Sequence, residues 1–146
     1  MESTAQRMTI AATPERCFAV VVDFERYPEW VADVKEVHVL ERDAQGRGTI
    51  VSFRAGAFGR STSYVLAYDY SGAPNVVSWA QQDGDLTSRL DGSYDFRPTS
   101  DGATEVRYEL SVELRVPIPG FVKRRVEANI LHAAVRDLKT RVESGR

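Results

Sequence analysis

From Thr104 to Val116 the chain alternates without a break, with Val106, Tyr108, Leu110, Val112, Leu114 and Val116 on one face and Glu105, Arg107, Glu109, Ser111, Glu113 and Arg115 on the other. Successive side chains of a strand point to opposite faces, so this pattern predicts an antiparallel strand with one buried and one solvated face. The chain then runs through Val116, Pro117, Ile118, Pro119, Gly120 and Phe121 into a stretch from about Val122 to Glu143 that holds no Gly and no Pro. At about 1.5 Å per residue, a helix there is more than ~30 Å long. In a small domain it must lie along the full length of a sheet, and the sheet must curve to hold it. A sheet wrapped around one long helix leaves room between them, so this architecture points to an apolar ligand.

One hundred and forty-six residues suit a single domain with one core. A formal net charge of −2 and the lack of a basic face give no electrostatic reason to expect nucleic acid as a partner. The longest like-charge run, Lys123, Arg124 and Arg125, reads as a solvated helix start that leaves transient contact with anionic headgroups open. Cys17 is the only cysteine, which excludes a disulfide framework and a cysteine-based metal site and makes the cytoplasm the simplest location. No stretch has signal-peptide character, and none reaches the roughly 20 apolar residues of an integral membrane segment.

A first strand is predicted over about Ala5 to Ala11. Thr13 and Pro14 then form a helix start, with Arg16 standing where a capping box needs Glu or Gln. That helix carries Cys17, Phe18, Val20, Val21 and Val22, and a second short turn carries Tyr27, Pro28, Glu29, Trp30 and Val31. From Val34 to Val116 the turn signals at Asp43 to Gly48, Gly56 to Gly59, Gly72 to Asn75, Asp83–Gly84 and Asp101–Gly102 divide the chain into six short-linked strands, an antiparallel meander. In the fifth of these, Leu86, Ser88, Leu90, Gly92, Tyr94 and Phe96 are expected to face inward. In the piece from Arg60 to Tyr70 either alternating set, Thr62–Tyr64–Leu66–Tyr68–Tyr70 or Ser63–Val65–Ala67–Asp69, satisfies the pattern. On the last helix Ala128, Leu131, Val135, Leu138 and Val142 form the expected inward stripe, Val122, Val126 and Ala133 fall on roughly the opposite side, and Arg125, Asn129, His132, Arg136 and Glu143 share a solvent-facing arc.

Asp23, Tyr27, Pro28 and Trp30, then Tyr64 and Tyr68, Trp79, the Gly92–Tyr94–Phe96 run and Pro119–Gly120–Phe121 occur in an order that resembles the START-like helix-grip superfamily, also called SRPBCC. The resemblance is to its bacterial members named for polyketide cyclase/dehydrase and lipid transport, and to the coenzyme Q-binding subgroup. It covers about Thr4 to Glu143. It implies an α+β helix-grip fold, one START-like domain over residues 1–146 with about seven antiparallel strands curved around the C-terminal helix and two short helices after the first strand. It also implies binding of a small hydrophobic molecule, without identifying it.

The residues themselves offer little chemistry. His38 and His132 are the only histidines and neither lies in a metalloprotease-type helix motif, so no metal is expected. No nucleophile elbow, phosphate-cradling loop or dinucleotide fingerprint occurs, and no cofactor is expected. Glu105, Glu109 and Glu113 alternate with apolar residues and read as a solvated outer face. His132 reads either as a surface histidine or as an acid or base on a helix lining the cavity. The inward aromatics are compatible equally with a packed core and with a cavity whose ligand or water satisfies their polar ends.

Three functions follow. The first is a non-catalytic carrier or sensor for a lipid, quinone or polyketide-like molecule. Its lining would be Trp30, Phe53, Tyr64, Trp79, Ser88, Leu90, Tyr94, Phe96, Tyr108, Leu110, Phe121 and Leu131, with Tyr94, Tyr108 and Ser88 orienting a ligand oxygen. The ligand would enter near Trp30, the Gly56 to Gly59 turn and Phe121. The second is a polyketide aromatase or cyclase using Tyr, Ser, Arg and His groups in the same cavity. The third is an interaction module for a partner protein or acyl carrier that meets Lys123, Arg124 and Arg125. Oligomeric state is not readable from the sequence.

Overall fold

The computed structural model describes residues 3–57 and 60–145. Strand β1 (Thr4–Ile10) is followed by helix α1 (Pro14–Val21), a 3-10 turn (Phe24–Arg26) and the short helix α2 (Tyr27–Trp30). Six strands come next: β2 (Val34–Arg42), β3 (Gly48–Ala57), β4 (Arg60–Asp69), β5 (Val76–Gly84), β6 (Thr87–Pro98) and β7 (Thr104–Leu114). Helix α3 (Gly120–Glu143) closes the chain.

The seven strands form one antiparallel sheet in the order β1-β7-β6-β5-β4-β3-β2. The meander from β2 to β7 follows from short turns, whereas β1 adds to β7 from more than ninety residues away, with Ile10 opposite Thr104. Residues 11–33 therefore connect one edge of the sheet to the other, which carries α1 and α2 across one end of it. Register shifts at Val34/Glu36 and Val39/Glu41 of β2, at Gln81/Asp83 of β5 opposite Val65 and Leu66, and at Thr87/Arg89 of β6 mark bulges. An unpaired residue bends its strand and increases the local twist, which is how a regular sheet acquires curvature.

Thr13 caps α1, its hydroxyl accepting from the Arg16 amide at 3.2 Å, so the missing capping-box partner does not prevent the cap. The β-branched run that disfavours a helix locally is offset by burial, since Val20 and Val21 lie in the core. Helix α3 has 24 residues and is about 36 Å long. It packs chiefly on β1, β7 and α1 through Leu131, Val135, Leu138 and Val142, each at most 3 % exposed. Burying four such side chains contributes roughly 6–12 kcal/mol as an upper figure.

Two expectations about side-chain direction are corrected. Ala128 is exposed, and Glu127 takes its place at the head of the buried stripe. Ser88 is exposed while Thr87 is buried, because the bulge at Thr87/Arg89 breaks the alternation of β6 at that point. The ambiguous strand β4 turns its even set inward: Thr62 and Leu66 are buried, and Tyr64, Tyr68 and Tyr70 pack on the core. The turn expected over Gly56 to Gly59 joins β3 to β4, with Ala57 paired to Arg60, and its residues 58 and 59 lie outside the described residues.

Candidate functional site

The inward face of the sheet carries an aromatic layer in two sets, bridged by Phe24 of the 3-10 turn, which lies 6.4 Å from Phe53 and 4.5 Å from Tyr68. Phe53 of β3 stacks on Tyr64 of β4 at 5.3 Å between ring centroids, and Tyr68 approaches Trp79 of β5 at 5.7 Å. Trp79 lies 5.6 Å from Tyr94 and 5.8 Å from Tyr108, which are themselves 4.7 Å apart across β6 and β7. Gly92 makes this arrangement sterically possible. It pairs with Trp79, and a Cβ at that position would stand 2.6 Å from the Trp79 ring and 2.6 Å from the Glu109 carbonyl oxygen.

The six tyrosines divide by what their hydroxyls do. Tyr27 donates to the Val21 carbonyl at 2.5 Å and Tyr70 donates to the Gly48 carbonyl at 2.6 Å, so these two serve packing. The hydroxyls of Tyr64, Tyr68, Tyr94 and Tyr108 bond to none of the described residues. They are not sealed off either. Among the described residues the sealed side-chain oxygens and nitrogens without a partner are Thr4 Oγ1 and Glu127 Oε2. The four phenol oxygens therefore border space that admits a small polar group.

Burial pushes the Tyr64 phenol up to about 12, and holds those of Tyr68, Tyr94 and Tyr108 well above the ordinary tyrosine value. A smaller cause is the charge of neighbouring groups: Tyr94 and Tyr64 raise Tyr108, Tyr64, Tyr94, Tyr108 and Tyr70 raise Tyr68, Tyr27 raises Tyr94, and Asp33 raises Tyr64. These groups stay protonated at ordinary pH. Each can donate one hydrogen bond and accept others, and none supplies a base.

The expected lining residues separate into three groups. Phe53, Tyr64, Trp79, Tyr94 and Tyr108 come together in the aromatic layer. Phe96, stacked on Tyr94 at 5.8 Å, Leu110 and Leu131 are at most 3 % exposed and form the packing behind and above it, with Leu90 partly buried beside them. Ser88, Trp30 and Phe121 are not brought into this layer. Ser88 points outward beside the Glu113 carbonyl, and Phe121 is 62 % exposed on the first turn of α3. Trp30 packs on Tyr27 at 5.0 Å and borders a separate surface groove of about 300 Å³. That groove lies among α1, α2 and the end of α3 and is lined largely by charge, with Arg26 paired to Asp23 and Arg141 to Glu29.

Tyr68 belongs to the layer although the alternation of β4 could not place it; its register opposite Trp79 does. His132 is exposed and stands 3.4 Å from the Gln6 side chain on the rim of α3. Lys123 reaches Glu113 at 3.6 Å, and Arg124 and Arg125 are exposed. Among the described residues there is no group of His, Cys, Asp and Glu able to hold a metal ion, and no helix is long and apolar enough to cross a membrane.

Comparison with known proteins agrees with this geometry. The fold matches a START superfamily protein from Mycobacterium smegmatis with a TM-score of 0.92 and 26% identity over 99% of both chains. It also matches the Zhui aromatase/cyclase from Streptomyces sp. R1128, at TM-score 0.81 and 15% identity over 97% of this chain and 93% of that one. A third match is a STAR-related lipid transfer protein from Xanthomonas axonopodis, at TM-score 0.74 and 14% identity over 97% and 85%. The last two likenesses concern fold alone. No curated protein sequence matches the chain. Residues 10–139, most of the chain, match the family described as polyketide cyclase / dehydrase and lipid transport, and the chain belongs to that family.

Proposed function

We propose that the protein binds a small hydrophobic molecule carrying at least one polar oxygen, held between the aromatic face of the sheet and α3, and that it carries or senses this molecule without transforming it. The observation that carries the reading is the set of four phenols, Tyr64, Tyr68, Tyr94 and Tyr108, whose hydroxyls have no partner among the described residues. A core built only to pack gains nothing from polar ends it leaves unsatisfied. A ligand oxygen supplies the missing partner, and the rings supply apolar contact. The family description includes both lipid transport and polyketide cyclisation. Cyclisation needs a group that accepts protons, and phenols held neutral by burial supply no base, which favours the carrier reading.

The test is native mass spectrometry of the purified protein with identification of whatever organic solvent releases. A discrete added mass that matches a lipid, quinone or polyketide supports the reading, and the double variant Tyr94→Phe/Tyr108→Phe should fold normally yet retain less of it. Recovery of no apolar compound, together with tryptophan fluorescence unmoved by added quinones and fatty alcohols, overturns it. Conversion of an added polyketide would favour the cyclase instead.

A further inference from the structure

Glu127 lies 4 % exposed among the apolar residues of α3, and its Oε2 is sealed from solvent without a hydrogen-bond donor among the described residues. At about 100° per residue it falls within about 80° of Leu131, Val135, Leu138 and Val142, so it points with them toward the sheet. The second sealed and unpartnered side-chain oxygen, Thr4 Oγ1, is on β1, in the alternating set with Met8 and Ile10 that faces the core.

Three contacts set α3 against β1. The Gln6 side chain meets His132, the Lys139 ammonium donates to the Thr9 carbonyl at 2.9 Å, and the Ala11 amide donates to the Glu143 carboxylate at 2.9 Å. From Gln6 to Thr9 the strand advances about 10 Å, and from His132 to Lys139 the helix advances about 10 Å. The two elements therefore run in step in the same direction. Moving back from Gln6 to Thr4 is about 7 Å, which α3 matches at residue 127 or 128. Thr4 and Glu127 are level with each other. Across the sheet Thr4 pairs with Leu110, Leu110 with Gly92, Gly92 with Trp79 and Trp79 with Tyr68, so this polar pair closes one end of the row that carries the aromatic layer. Three strand spacings separate Thr4 from Trp79, about 14 Å.

From this placement we infer that Glu127, with Thr4, is an anchoring site for a hydrogen-bond donor, a hydroxyl or an amine, at the end of a ligand whose apolar body of about 14 Å lies along the row toward Trp79. The Glu127 carboxyl oxygens accept from a hydroxyl or an amine, whereas a ligand carboxylate has no hydrogen to donate. The inference rests on the hydrophobic-ligand reading above and adds the polarity and position of one end of the ligand.

Calorimetric titration of the full chain with decylamine, decanol and decanoate separates the two ideas. The wild type should bind the amine or the alcohol at least about ten-fold more tightly than decanoate, and the stronger of the two names the donor. Glu127→Gln should erase most of that difference. Glu127→Leu, which completes the apolar stripe, should also erase it while raising Tm, since no protein donor loses a partner. Equal binding of all three, or a preference for decanoate, overturns the anchoring site and leaves the hydrophobic-ligand reading standing. A lower Tm for Glu127→Leu with the rank order unchanged also overturns it. Binding of none of them overturns both.

Discussion

Raising the pH should reveal how tightly the tyrosines are held, because all six of them are displaced in the same direction by burial. A phenol whose folded-state value lies above its ordinary one stabilises the fold fully below the ordinary value and loses that contribution as pH rises through the folded one. For Tyr64 this window runs from the ordinary value of 10.0 to about 12. Two units correspond to about 2.7 kcal/mol for this residue. Tyr27, Tyr68, Tyr94 and Tyr108 are all raised well above 10.0, so their losses add to it as the pH climbs through the same region. A domain of ordinary stability holds only about 5–15 kcal/mol in total. The fold should therefore give way before the tyrosines titrate individually. Phenolate absorbance at 295 nm, followed together with far-ultraviolet circular dichroism, should stay flat through pH 10 and then rise in one step that coincides with loss of secondary structure. A gradual rise centred on pH 10 with the circular dichroism intact would refute the argument, because it would place the phenols in water rather than in the interior.

Other substitutions follow from packing. Gly92→Ala sets a methyl group 2.6 Å from the Trp79 ring and from the Glu109 carbonyl oxygen. It should cost about 1–3 kcal/mol and shift tryptophan emission, measured by urea unfolding and fluorescence. Leu138→Ala removes a side chain that is 0 % exposed under α3. A loss of about 2–5 kcal/mol is expected, and a much smaller loss would mean that α3 does not bear on the core there. Thr13→Ala deletes the acceptor of the Arg16 amide and should cost about 1 kcal/mol, read as a lowered denaturation midpoint with an unchanged slope.

Much of this molecule can be read from local pattern. The strict alternation of Thr104 to Val116 places β7, the Thr13–Pro14 pair places the start of α1, and the uninterrupted run after Phe121 places α3, because each depends on neighbours within a few residues. Five turn signals between Val34 and Val116 are enough for the meander of six strands, since a short link between strands allows only an antiparallel return. The exposure of His38 and of the arc through Arg125, Asn129, His132 and Arg136 is equally local, as it follows from which side of an element a polar residue occupies.

What the pattern leaves open is set by pairing between strands and by packing between elements. Either alternating set of β4 satisfies the local pattern, and its register, which sets Tyr64 opposite Phe53 and Tyr68 opposite Trp79, turns both inward. Ser88 leaves the interior because a bulge shifts its parity by one residue, and a one-residue shift exchanges the two faces of a strand. On α3, Ala128 and Glu127 fit the stripe equally well by spacing, at three and four residues before Leu131. Composition favours Ala128, yet the contacts of the helix with Gln6 and Thr9 of β1 and with Ala11 just beyond it fix a rotation in which Glu127 is buried. Periodicity thus determined the elements and the grip of sheet on helix, since these arise from interactions a few residues apart. The identity of the side chains that meet in the interior was decided by register, bulge and helix rotation, which are set only when whole strands pair and when α3 docks on β1, more than a hundred residues away.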